Sequence, residues 1–193
     1  MKCDIVLAGV GGQGILSIAT VIGYAAVESG LYLKQAEVHG MAQRGGAVLS
    51  HLRISDKEIF SELVPEGGAD LILSAEPMES LRYLPFLAPS GWIVTNSTPF
   101  INIPNYPDIN AIIAEIKKHP HQLIFDADSM AKETGNPRGV NMVIAGAASL
   151  FIDIPYEKME AGIRFIFGRK GDAIVNKNLE ALKMGRTFAE KNK

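Results

Sequence analysis

The 193-residue chain is poor in cysteine, since Cys3 is the only one. A single thiol cannot form an internal disulfide, and it cannot supply the set of thiolates that an iron–sulfur cluster or a cysteine-rich zinc site requires. Cys3 opens an apolar segment typical of a buried strand, so we interpret it as an inert core thiol. Neither an iron–sulfur cluster nor a cysteine-rich zinc site can therefore be built from this chain alone.

Long apolar runs and blocks of one charge are also missing. The most apolar stretches, residues 15–27 and 140–152, are shorter than the roughly 20 residues that a membrane span needs. The net charge is -2 without any basic block, which argues against a nucleic-acid partner. Asp4 lies where a signal peptide would be apolar. We therefore expect a cytoplasmic protein with neither membrane nor nucleic acid as a partner.

A glycine cluster separates a predicted strand, residues 5–8, from a predicted helix, residues 15–27. Its spacing satisfies the pattern G-x-G-x-x-G, and it lies between a strand and a helix, the context in which this pattern indicates a ligand-binding turn. Backbone amides at the start of such a helix favour an anion. We therefore expect an anionic ligand to bind at Gly9, Gly11, Gly12, Gln13 and Gly14.

Two familiar nucleotide motifs fit this cluster only in part. Ile15 and Leu16 stand where a P-loop needs Lys and Ser or Thr, which excludes that type of NTPase. A dinucleotide-binding fold needs an acid at the end of its second strand, where this chain has Lys34 and Gln35, with Glu37 a little beyond. The alternative is that the glycines only let the first helix pack closely on the sheet.

The hydrophobic pattern alternates strands and helices up to residue 125 and is helical afterwards. This order predicts one α/β domain over residues 1–193, with a mostly parallel, Rossmann-like sheet, helices on both faces, an inserted β-hairpin and a helical C-terminal third. The hairpin is predicted from residues 47–54 and 58–63. The other predicted strands are 31–33, 69–75, 91–95 and 123–125, and the later helices are 78–87, 108–119, 141–151, 156–167 and 172–190.

Polar residues and glycines follow four of these predicted strands, and strand ends of this kind can meet in one crevice. Arg44 is the strongest candidate among them for binding an anion, because a guanidinium on a loop can bind a carboxylate or phosphate with two hydrogen bonds. The alternative is a solvated loop cation beside turn glycines. The candidate ligand site therefore includes Arg44, Gly45 and Asn96.

Other polar residues carry weaker signals. His39 has no nucleophile or acid placed beside it in a known motif, so no catalytic residue is assigned. Asp126 and Asp128 lack a metal-ligand pattern, and we interpret them as loop or cap residues without a metal. Asn141 is well suited to cap the apolar helix that follows it.

Five segments together resemble the gamma subunit or domain of 2-oxoacid:ferredoxin oxidoreductases, above all the small subunits of the indolepyruvate type. The similarity covers almost the whole chain, and the motifs occur in order and are individually unusual. They are GVGGQG, EVHGMAQRGG, SHLRIS, MESLRYLPFL and GNPRGVNMVIAGAA.

The resemblance implies CoA-dependent oxidative decarboxylation of aryl 2-oxo acids, with electrons leaving to ferredoxin through the complex. Thiamine diphosphate and iron–sulfur clusters carry this chemistry in the family. This chain has one cysteine, and Gly171 and Asp172 begin no thiamine-diphosphate signature. A large catalytic subunit is therefore expected to supply both cofactors, and this chain is expected to bind neither alone.

The resemblance also suggests what the glycine site does. The turn at residues 9–14 and the loop at residues 37–46 are expected to face the large subunit and a shared anionic ligand, either coenzyme A or substrate. Gly11, Gly12, Gln13 and Gly14 would offer amide donors, with Arg44 as counter-charge. Two alternatives remain, namely a free-standing nucleotide- or dinucleotide-binding oxidoreductase and a purely structural subunit.

Overall fold

A central sheet of six strands organises the computed structural model, which describes residues 1–39 and 45–193. The sheet order is β2-β3-β1-β4-β5-β6. Strands β1, β4, β5 and β6 are parallel, whereas β3 runs antiparallel between β1 and β2. This topology confirms a mostly parallel α/β sheet with an inserted hairpin. The strands are β1 (Lys2–Val10), β2 (Tyr32–His39), β3 (Ala47–Ser55), β4 (Ala69–Ser74), β5 (Leu87–Asn96) and β6 (Gln122–Phe125).

Helices cover both faces of the sheet, because side chains alternate along each strand. Ile5 and Leu7 of β1 join the core beneath α1, α4, α5, α6 and α7, whereas Val6 points to the face that carries α2 and α3. No helix in the described ranges has both the length and the apolar character that a bilayer span requires. The helices are α1 (Ile15–Glu28), α2 (Pro77–Arg82), α3 (Ile109–Ile116), α4 (Ala127–Glu133), α5 (Val140–Ala148), α6 (Tyr156–Phe167) and α7 (Asp172–Asn192).

The hairpin is formed by other strands than those predicted, because residues 47–55 are its second strand and β2 is its first. Residues 58–63 form no strand, and β3 pairs instead with β2, with Tyr32 opposite Ser55. The prediction for β2 stopped at residue 33 because polar side chains follow, yet an edge strand tolerates them on its solvated face. Residues 58–63 are held through Arg53, whose guanidinium donates to the carbonyl oxygens of Ser61 and Leu63 at 3.0 and 3.1 Å.

Two helices also differ from expectation. The helix predicted over residues 78–87 ends at Arg82, and Pro85 lies in a short 3-10 turn before β5. Helix α4 has no counterpart among the predicted helices. Asp126 caps it by accepting the Ser129 N–H at 2.9 Å. The bond from the Ser129 hydroxyl, together with this backbone bond, lowers the pKa of Asp126. The interpretation of Asp126 as a cap is therefore confirmed.

Helices α5 and α7 cross with their backbones in direct contact. A Cβ atom on Gly146 would lie 1.9 Å from the Leu182 carbonyl oxygen, and one on Gly185 would lie 1.9 Å from the Val143 carbonyl oxygen. Both separations are far below van der Waals contact, so a side chain at either position forces the helices apart. The crossing seats α5 between the sheet and α7.

We predict that Gly146→Ala destabilises the fold, because its methyl group meets backbone that cannot rotate away. The expected loss of unfolding free energy is about 1 to 3 kcal/mol or more, measured by urea denaturation. Gly168→Ala is the matched control, since Gly168 has helical dihedrals and no atom within 4 Å of its would-be Cβ. The control should be neutral or slightly stabilising. Equal stability of the two variants would contradict the close crossing.

Candidate ligand-binding cleft

A cleft of about 500 Å³ opens at the carboxyl end of the sheet, beside β1 and β4. In the sheet, the hairpin β2–β3 lies on one side of β1 and β4 lies on the other. Open α/β sheets bind ligands where the strand order reverses in this way. The cleft brings the glycine turn together with the residues that follow β4, β5 and β6. Its walls are Gly12, Gln13, Gly14, Ala75, Phe100, Asp128, Pro137, Arg138, Val140 and Asn141.

The glycine turn is braced by hydrogen bonds within the chain. Gln13 accepts the Val10 N–H on its side-chain oxygen at 2.7 Å and donates its side-chain amide to the Ala75 carbonyl at 3.2 Å. The Gly11 N–H donates to the Gly46 carbonyl at 2.8 Å, and the Gln13 N–H donates to the Val10 carbonyl at 3.1 Å. These two amides, expected to face a ligand, are therefore already used.

Two other amides of the turn stay available. The N–H groups of Gly12 and Gly14 have no acceptor among the described residues. Gly14 is also the residue before α1, so its surroundings carry the partial positive charge of a helix start. The donors that this turn offers to an anion are thus fewer than predicted. Gly9 lies at the end of β1 and is not part of the cleft wall.

Gly14 is packed against the start of α5. Its φ is +78°, and the Asn141 side-chain amide donates to its carbonyl oxygen at 3.4 Å. A Cβ atom on Gly14 would lie 2.5 Å from that amide nitrogen. Asn141 makes no cap bond to α5, whose preceding residue is Gly139, so the cap prediction for Asn141 is wrong. Asn141 instead joins the start of α5 to Gly14, which lies 127 positions earlier in the chain.

Asn96 supports the cleft from behind. Only 1 % of it is exposed, and its amide nitrogen donates to the Asp128 carboxylate at 2.8 Å and to the Ala75 carbonyl at 3.4 Å. Its side-chain oxygen accepts the Ala127 N–H at 3.0 Å. Asn96 therefore holds two groups of the cleft wall, and direct contact with a ligand stays a prediction.

Arg138 is the cation that sequence reasoning missed. It is exposed in the cleft wall, and its guanidinium makes no hydrogen bond or ion pair within the described ranges. The sequence feature that could have identified Arg138 is its place in the segment GNPRGVN, in a turn just before a buried helix. Arg44, the cation that the sequence favoured, lies outside the described residues. Gly45 is described, and its N–H donates to the Gly11 carbonyl at 3.2 Å.

The described part of the chain offers no suitable ligands for an iron–sulfur cluster. Cys3 is 4 % exposed, and burial, assisted by Asp70 and Asp4, raises the pKa of its thiol to about 12. A thiol of that kind is a poor cluster ligand. The described part of the chain also has no group of three or more His, Cys, Asp or Glu side chains placed to hold a metal ion.

The chain belongs to the pyruvate ferredoxin/flavodoxin oxidoreductase family, which matches residues 4–188. It is 39% identical to the indolepyruvate oxidoreductase subunit IorB of Archaeoglobus fulgidus, over 96% of this chain and 94% of that one. It is 38% identical to the IorB subunit of Pyrococcus horikoshii, over 94% of this chain and 93% of that one. The family resemblance drawn from the motifs is confirmed.

A solved structure supports the fold over the whole length. The gamma subunit of a keto/oxoacid ferredoxin oxidoreductase from Geobacter sulfurreducens superimposes with a TM-score of 0.75, at 23% identity, over 99% of this chain and 98% of that one. Likeness at this level of identity carries the fold alone.

We predict that Gly14→Ala costs more stability than Gly30→Ala, a matched control. Both glycines have positive φ, but the would-be Cβ of Gly30 meets nothing within 4 Å. Backbone strain of about 1 to 2 kcal/mol is common to both, and the clash with Asn141 adds about 1 to 3 kcal/mol at Gly14. Urea denaturation measures the difference. The added cost should vanish in an Asn141→Ala background, and its persistence there would contradict this packing.

Proposed function

We propose that this chain is the small subunit of an indolepyruvate-type 2-oxoacid:ferredoxin oxidoreductase and that residues 1–193 act in it as one domain. The observation that carries the proposal is the similarity to IorB subunits over nearly the whole of both chains. In the complex, a large subunit holds thiamine diphosphate and the iron–sulfur clusters, and electrons leave it to ferredoxin. The reaction is the CoA-dependent oxidative decarboxylation of an aryl 2-oxo acid.

The cleft is proposed to bind an anionic group of a ligand shared with the large subunit, and coenzyme A is the ligand that we favour. The free amides of Gly12 and Gly14 and the unpaired Arg138 support an anion there. Asp128 is a carboxylate in the same wall, and the Asn96 side-chain amide donates to one of its oxygens at 2.8 Å. The carboxylate of the 2-oxo acid is the second candidate, with the same chemistry of recognition.

This chain is proposed to bind and orient, and no proton-transfer step is assigned to it. The described residues of the cleft wall include no His, Cys, Lys or Tyr side chain. Amide donors and a guanidinium place a phosphate or carboxylate without exchanging protons with it. The energy of that contact is then available to position the reacting end of the ligand in the neighbouring subunit.

Exposed apolar side chains beside the cleft support the proposed contact with the large subunit. Phe100, Ile101 and Ile103 are 42%, 70% and 38% exposed, and they occupy neighbouring positions in the segment after β5. Exposed apolar residues grouped in this way are typical of an interface. Asn102, between them, donates its side-chain amide to the Gly45 carbonyl, so the segment is joined to the turn beside the glycine cluster.

The purified chain is expected to be colourless and to turn over no 2-oxo acid with any electron acceptor, because it has a single cysteine and no recognisable thiamine-diphosphate signature. Adding the large subunit should restore CoA-dependent oxidation of indolepyruvate. Visible absorbance, bound-cofactor analysis and assays of each protein and of the mixture measure this. Turnover by the chain alone, or a nicotinamide or flavin retained on it, would favour a free-standing oxidoreductase instead.

Arg138→Ala is expected to raise the KM for coenzyme A roughly ten- to a hundred-fold in the intact complex, because it removes a charge-assisted bond. Arg138→Lys should recover only part of the loss, since lysine keeps the charge without the two-pronged geometry. Arg44→Ala tests the second predicted cation in the same assay. Arg169→Ala is the control, because Arg169 is exposed and lies outside the cleft wall.

The same kinetic measurements distinguish coenzyme A from the 2-oxo acid as the ligand of the cleft. A raised KM for the 2-oxo acid, with an unchanged KM for coenzyme A, would assign the cleft to the substrate. Wild-type kinetics in Arg138→Ala and Arg44→Ala would show that neither arginine binds a ligand. Gel filtration of each variant complex must show that the subunits stay associated.

A further inference from the structure

A fully buried carboxylate lies behind the cleft, at the end of β4. Glu76 is 0 % exposed and is the residue before α2. One carboxylate oxygen accepts the Glu79 N–H at 2.9 Å, and the other accepts the Phe100 N–H at 3.3 Å and the Tyr106 hydroxyl. Burying a carboxylate is costly unless donors surround it in this way. Two of its three donors come from a distant segment.

That segment, residues 97–108, has neither helix nor strand and forms part of the cleft wall. Phe100 lines the cleft, and Asn102 donates to the Gly45 carbonyl. The Gly45 N–H in turn donates to the carbonyl of Gly11. A continuous set of contacts therefore runs from the Glu76 carboxylate, through the segment, to the glycine turn on the other side of the cleft.

We propose that Glu76 is a positioning residue that holds residues 97–108 in place and thereby sets the wall of the ligand cleft. It touches no ligand itself. This inference rests on the proposed function, because it takes coenzyme A as the ligand whose binding the wall controls. Loss of the carboxylate would leave Phe100 and the contact between Asn102 and Gly45 without their anchor.

The acceptor chemistry of the site requires a carboxylate. An ionised carboxylate only accepts hydrogen bonds, and three donors converge on the two oxygens of Glu76. Glutamine has nearly the same shape, but its amide nitrogen would face either the Glu79 N–H or the two donors of the segment. In either orientation its neutral oxygen is a weaker acceptor than a carboxylate oxygen, so the bonds to the segment weaken. Burial and the bond to Glu76 raise the pKa of Tyr106, so its hydroxyl keeps the proton that it donates.

Glu79 offers a matched control in the same helix. It is 3 % exposed, yet its carboxylate binds Arg82, at 2.8 Å to Nε and 3.1 Å to the second guanidinium nitrogen. Its carboxylate makes no hydrogen bond or ion pair with residues 97–108 in the described ranges. Glu79→Gln therefore removes a buried negative charge from α2 and leaves the anchor of the segment intact.

The test uses the assembled complex and two readouts. Hydrogen exchange of the amides in residues 97–108, measured without ligand, reports how firmly the segment is held. Steady-state kinetics report the KM for coenzyme A and kcat. Glu76→Gln should speed exchange in the segment and raise the KM roughly ten-fold with kcat nearly unchanged. Tyr106→Phe should give a smaller effect in the same direction, and Glu79→Gln should change neither readout.

Unchanged exchange in Glu76→Gln would overturn the inference, and Tyr106→Phe decides the point in the same way if Glu76→Gln does not assemble. Faster exchange with an unchanged KM would also overturn it, provided that Arg138→Ala raises that KM. A KM that responds to neither Glu76→Gln nor Arg138→Ala would instead show that the cleft is not the coenzyme A site. The proposed binding of coenzyme A in the cleft would then be wrong, whether or not Glu76 holds residues 97–108.

Discussion

The direct contact between the backbones of α5 and α7 is the constraint on which the cleft depends. Gly146 and Gly185 let each helix reach the carbonyl groups of the other, so α5 lies deep against the sheet with residues 142–148 buried. That position brings Asn141, at the start of α5, against Gly14, at the start of α1. Two helix starts far apart in the chain thus form adjacent walls of one cleft.

The cleft is built from polar groups that mostly satisfy one another. Gln13 bridges β1 and the end of β4, Asn96 holds the Asp128 carboxylate, and the turn at Gly45 and Gly46 pairs with Gly11. Buried polar groups need such partners, and a network of this kind is rigid when it is complete. The amides of Gly12 and Gly14 and the Arg138 guanidinium are donors of the cleft without an acceptor among the described residues. A surface of preorganised donors suits anion binding better than proton transfer.

Sequence reasoning reached the fold class, the family and the glycine turn, but it did not reveal which groups of the turn are already hydrogen-bonded within the chain. It named Gly11 and Gln13 as amide donors, although both amides are used within the chain, and it missed Arg138. The glycine spacing is a local pattern, whereas the partner of each amide is not local. Likewise the hydrophobic alternation revealed β3, but the strand that pairs with it depends on how β2 reaches the sheet edge.

What the sequence by itself determined is the alternation of strands and helices, the strand-turn-helix at the glycine cluster and membership of the family. These depend on residue spacing and conformational preference over short stretches, which are written directly in the chain. Only the tertiary structure decided that Glu76 anchors residues 97–108, that Asn96 lies behind the cleft and that Arg138 lies in its wall. Each of these depends on contacts between segments that are distant in sequence, and close packing of the whole core sets which segments meet.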